Sequence, residues 1–184
     1  MRGINTPRRR TAARVAGAAV GAVALLGLAA GSSAQSGQDY MPQATLVEVM
    51  SGMVMPFAQV VWDAVIYDET IHGPDTDEGW QEARNAAVAL AESANVLVIP
   101  GRKVAGPDKM ANEGELAPEE IEALIAKNRG AWVGHAHALH EVATQAIAAI
   151  DARDANKLSD VSGALDSVCE GCHLQFWYPN QQQL

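Results

Sequence analysis

Near the end of the chain stands Cys169-Glu170-Gly171-Cys172-His173. On a helix, two thiols three residues apart share one face, and an imidazole follows at once. This spacing is the c-type haem attachment pattern. Each thiol can add to a vinyl group of one porphyrin, and the adjacent imidazole can reach its iron. Cys169 and Cys172 are thus expected as thioether attachments of one haem c, and His173 as the proximal iron ligand. Other readings of a C-x-x-C pair fit less well. A thioredoxin-like pair follows a strand and opens a helix, whereas this one closes a C-terminal helix. A zinc site needs further ligands at metal spacing, and the chain has two cysteines in all. A disulfide between positions i and i+3 of a helix has poor geometry.

Soft donors recur earlier, at Met50, Met53 and Met55, just before Pro56. At about 100° per residue, Met53 lies about 60° from Met50 and Met55 about 140° away. Met50 and Met53 therefore share an apolar stripe, and Met55 is expected to point elsewhere. A methionine on such a stripe is most often flexible core filler. The functional reading is a sixth iron ligand; with neither bound, the distal site is open to a diatomic gas. His135, His137 and His140 form a third group. His137 and His140 share a face beside Glu141, which allows a surface copper or zinc site. The ordinary reading seats His135 by Trp132 and Leu139 and leaves the other two partly solvated. Arg84 or Arg102 can supply a counter-charge to a haem propionate, although surface ion pairing is the commoner fate of an arginine. Trp62, Trp80 and Trp132 occupy helix-packing positions.

Four helical stretches must position these residues. The first runs from about Gln43 to Tyr67, with Leu46, Val49, Met50, Met53, Phe57, Val60 and Ala64 on one stripe. Pro56 lacks an amide hydrogen and crowds the carbonyl of Gly52, so a kink is expected there. The second starts at Thr76 or Asp77, with acids in its first turn, and stops at Pro100-Gly101. A loop follows to Leu116. Pro118 opens the third, which runs to about Ile150 with a break near Asn128-Arg129-Gly130. The fourth runs from about Ala155 to Phe176, and Pro179 stops it. Cys169 and Cys172 continue its stripe of Leu158, Val161, Leu165 and Val168, so a porphyrin held there would face the interior. An all-α, up-and-down antiparallel four-helix bundle is the simplest way to bury four such stripes.

From Gln43 to Pro179 the chain resembles the class II c-type cytochromes, the cytochrome c prime family with its low-spin relatives. The resemblance is carried by the Cys169-to-His173 motif, by Phe176 three residues after the histidine, and by Met50 six residues before Pro56. Trp177 stands where that family usually has a basic residue. The resemblance implies a four-helix bundle, and it implies Met50 as the distal iron ligand, as in low-spin members. A homodimer through the first two helices is implied as well, for which Val61 and Trp62 offer extra apolar surface. Its activity would be single-electron transfer without substrate turnover. A five-coordinate protein binding nitric oxide or carbon monoxide is the alternative.

Composition and charge agree with an exported carrier. The chain has 184 residues and a net charge of −9, which excludes the basic face of a nucleic-acid binder. Residues 1–34 hold five arginines and no acid, and they read as a secretory signal peptide: basic Arg8 to Arg10, apolar Val15 to Ala30, and a small-residue site at Ser32-Ser33-Ala34. Removing it leaves 8 basic against 22 acidic residues, a net charge of −14. A periplasmic location follows, with an uncleaved membrane anchor as the alternative. A lead over 35–42, the cytochrome domain over 43–179 and a tail over 180–184 complete the organisation. The redox partners are expected to present a basic docking face.

Overall fold

The computed structural model describes residues 40–109 and 111–183. The expected signal peptide and most of the lead lie outside these residues. The described residues are mostly helical, 69% helix, which agrees with the all-α expectation. No helix among the described residues is long and apolar enough to cross a membrane.

The first helical stretch is composite. α1 (Leu46–Val49) leads into a π-helical turn, Met50–Val54, and then α2 (Met55–Asp63). Thr45 caps the start: its hydroxyl accepts the Glu48 N–H at 3.2 Å, and the Glu48 carboxylate accepts the Thr45 N–H at 2.8 Å. The next two amides, which no helical carbonyl can reach, donate to the carbonyls of Lys103 and Val104. Thus the loop after the second long helix completes the start of the first.

Pro56 sits in the first turn of α2. The expected irregularity exists, but it falls in the turn before the proline, where the Met55 N–H reaches back five residues to the Met50 carbonyl. Such a turn holds one more residue than an α-helical one, so the helix face beyond it moves by one position. The core positions are therefore Leu46 and Val49, then Val54, Ala58 and Val61, while Met53, Phe57 and Val60 are only half-buried. This corrects the uniform stripe. It also removes the surface argument for a dimer, because Val61 is fully buried and the Trp62 indole donates to the Ser162 carbonyl at 3.2 Å.

The helix ends earlier than Tyr67. A short antiparallel pair follows, β1 (Ile66–Tyr67) and β2 (Ile71–His72), with Ile66 opposite His72. α3 (Asp77–Leu97) begins at Thr76, whose hydroxyl accepts the Gly79 N–H at 3.1 Å. The third stretch is broken as expected: α4 (Pro118–Lys127) and α5 (Arg129–Asp151) meet at Asn128. α6 (Ala155–Phe176) has the expected limits, and a 3-10 turn, Pro179–Gln183, succeeds it. α3 packs along α5, α5 along α6, and α2 against both α3 and α6. Leu90, Leu139, Val142, Leu158, Val161 and Leu165 fill the space between them.

Phe176 closes this core at the C-terminal end of α6. It is fully buried and meets Trp132 edge-on, with ring centroids 5.3 Å apart. Phe176→Ala is expected to lower stability by about 3–5 kcal/mol, the usual cost of removing a buried aromatic ring. Guanidinium unfolding checks this; a loss below about 1 kcal/mol would show that this end of α6 is not anchored by the ring.

Candidate functional site

α6 carries the thiols and the imidazole. Arg153, with φ of 53°, turns the chain out of α5. The Asp154 carboxylate then caps α6 by accepting the Lys157 N–H at 2.9 Å. The buried face of α6 continues through half-buried Val168, Cys169 and Cys172, which pack against the core. At its end, the Trp177 and Tyr178 amides both donate to the His173 carbonyl, at 2.8 and 3.0 Å. The Leu116 N–H donates to the Trp177 carbonyl at 2.8 Å. The loop before α4 is thereby tied to the histidine end of α6.

Cys169, Cys172 and His173 line a cleft of about 370 Å³, within the size range of cofactor sites. Met50, Val54 and Ala58 line it from the first helical stretch, and Trp132, Ala136 and Leu139 from α5. Most of the lining is apolar, and the alanines Ala58 and Ala136 leave room in it. The His173 ring is held by packing, with the rings of Trp177 and Tyr178 each 6.0 Å away.

The electrostatics distinguish this C-x-x-C from a redox-active pair. Burial, aided by the Asp166 carboxylate, pushes the Cys169 thiol up to about 11. Burial and the neighbouring Cys169 push Cys172 up to about 12. Reactive pairs need the opposite shift. Both cysteines are free. Burial also lowers the pKa of His173, while Glu170 and Glu115 oppose that shift. Its neutral form, the one that can bind a metal, is therefore favoured at neutral pH. The Tyr178 hydroxyl, which donates to Glu170 at 2.8 Å, is pushed up to about 12 by desolvation and by that bond.

The cleft sorts the three methionines. Met50 lines it, as expected. Met53 packs against the core but does not line the cleft. Met55, expected to point away, does line it and is 51% exposed. The π turn accounts for this, because a residue five positions on comes back towards the side of the first.

The histidines separate too. His135 lines the cleft, and its Nε2 lies 2.7 Å from Gln175 Oε1, the accepting amide oxygen. His137 and His140 are exposed. Among the described residues, no three His, Cys, Asp or Glu side chains gather as a metal site. Arg84 is paired with Asp151 at 2.7 Å, and neither Arg84 nor Arg102 lines the cleft. Lys109 and Asn112, from the loop before α4, do so instead. Sequence periodicity gives no warning of this, since a loop has none. Trp177 stacks on Trp132, with ring centroids 6.5 Å apart.

The donor set suits a covalently held haem. It has two free thiols and the His173 imidazole from α6, the thioethers of Met50 and Met55 from the first helical stretch, the His135 imidazole from α5, and apolar surface between. Comparison with family models, with curated proteins and with solved structures finds no match to this chain.

Proposed function

We propose that this protein is an exported monohaem c-type cytochrome, an up-and-down four-helix bundle that passes single electrons. The observation that carries the reading is that Cys169, Cys172 and His173 line the same apolar cleft as Met50. When bound, haem supplies an iron that cycles between two oxidation states. Cys169 and Cys172 would hold its periphery covalently, and the His173 imidazole would offer a nitrogen to the iron. Met50 would offer a neutral, soft sulfur. Because both side chains belong to packed helices, they would offer the iron the same two donors before and after gain or loss of an electron. The apolar lining would keep water from the metal and, with the Met50 sulfur, would favour the reduced form. No residue of the cleft is assigned a substrate-transforming role.

An absorption spectrum of the oxidised protein tests the axial ligands. A methionine-to-iron charge-transfer band towards the red end is expected. A high-spin spectrum that shifts with carbon monoxide after reduction would replace electron transfer with gas binding.

The acidic surface bears on partners. With a net charge of −14 beyond residue 34, association with a basic redox protein is expected to slow as salt rises. The screening length falls from about 30 Å at 0.01 M to about 8 Å at 0.15 M, and steering weakens with it. Stopped-flow electron transfer across that range checks this; a rate that stays flat or rises contradicts a charge-guided encounter.

A further inference from the structure

Basic side chains are scarce: 8 beyond residue 34, against 22 acids. Three of those 8, Arg102, Lys103 and Arg129, line a second cavity of about 310 Å³. It adjoins the first, and Leu97 and Trp132 line both. One carboxylate, Glu122, also lines it. That group is already engaged, accepting Lys103 Nζ at 2.9 Å and the Val104 N–H at 3.0 Å.

The two arginines of the cavity differ from the others described. Arg84 is paired with Asp151, and Arg153 with Asp77. Arg102 and Arg129 are bonded instead to backbone carbonyls, those of Ala44 and Val98. These bonds fix the guanidinium groups but leave their charges without a carboxylate among the described residues. Arg102 Nε, moreover, is buried and has no acceptor. Buried donors are nearly always bonded, so an unbonded one calls for a partner. A guanidinium presents five donors in a planar fork that matches an oxyanion two bonds at a time. In so acidic a chain, where other arginines find aspartates, two uncompensated guanidinium groups at one cavity favour a negative group from outside.

We propose that this cavity binds an oxyanion, the phosphate or carboxylate group of a small solute, with Arg102 and Arg129 as its charged ligands. Lys103 adds positive potential while its own bond stays with Glu122. The site does not depend on the haem reading, because neither arginine lines the cleft that holds Cys169, Cys172 and His173.

The test is a titration of the purified full protein with inorganic phosphate, at ionic strength held constant with chloride, followed through the arginine Nε–H resonances. Saturable shifts of the Arg102 and Arg129 signals are expected. Arg129→Gln should weaken binding about tenfold or more, the loss of a charge-assisted bond, and Arg84→Gln should leave it unchanged. Arg102→Gln should weaken it similarly; that variant also loses the bond to Ala44, so the exposed Arg129 carries the test if it folds poorly. Citrate in place of phosphate separates the sources: tighter saturation by one names its group, and either result supports the site. Phosphate shifts no greater than those from chloride would overturn it. So would equal weakening by Arg84→Gln. A lowered reduction potential in Arg129→Gln, without phosphate binding in the wild type, would assign the arginines to a haem propionate and also overturn it.

Discussion

Met50→Ala is expected to open the iron. The oxidised protein should turn high-spin, the reduced protein should bind carbon monoxide readily, and the reduction potential should fall, since a His/Met pair raises it. A thioether is a weak ligand that the fold must place, and Met50 stands at the cleft on the first residue of the π turn Met50–Val54. The fold should survive. Truncating a buried methionine costs about 2–5 kcal/mol, and Met50 is only half-buried, which puts the loss near the lower figure. Met53→Ala should leave the spectrum unchanged, because Met53 packs outside the cleft. Met55 is the informative control. It lines the same cleft, so a high-spin spectrum in Met55→Ala, with Met50→Ala unaltered, would move the ligand five residues along. If no single methionine variant alters the spectrum, the wild-type iron is already open, and gas binding becomes the better account.

The largest effect belongs to the thiols. With Cys169 and Cys172 both changed to Ala, no haem should remain on the polypeptide after acid–acetone extraction and denaturing electrophoresis. Neither side chain supports the fold through a disulfide, since both are free, so the variant should still fold. Covalent haem in that double variant would remove the attachment assignment altogether. The raised thiol pKa values give a second expectation. In protein purified without haem, both cysteines should react slowly with alkylating reagents at pH 7, because only the thiolate is nucleophilic.

Much of this site could be read from residue types and spacing, because its parts are local. The C-x-x-C-H group and the stripe that continues into it sit on one uninterrupted helix, so period alone places Cys169 and Cys172 towards the interior. Capping at Thr76 and the break at Asn128 were equally legible, since each depends on a few adjacent residues. The first helical stretch was not. Pro56 announces an interruption, but nothing in the residue types says whether a kink or an added residue resolves it. The added residue moves the core from Met53, Phe57 and Val60 to Val54, Ala58 and Val61, and it brings Met55 to the cleft. The loop before α4 was hidden for another reason. Lys109 and Asn112 line the cleft on a loop whose Leu116 is bonded to the Trp177 carbonyl, a contact across the fold that no local pattern encodes. Arg102 stands out in the sequence only as a counter-charge for a haem propionate or a surface ion pair, and its cavity depends on α4 and α5 lying beside it.

The proposed function stands on a haem held through both cysteines and ligated by His173. Intact-protein mass spectrometry under denaturing conditions tests it most directly, on protein exported by a host that matures c-type cytochromes. A chain heavier by one haem is expected, with the added mass on the peptide that contains Cys169 and Cys172 and neither thiol open to alkylation. A chain of unmodified mass, with both thiols alkylated after denaturation, would contradict it.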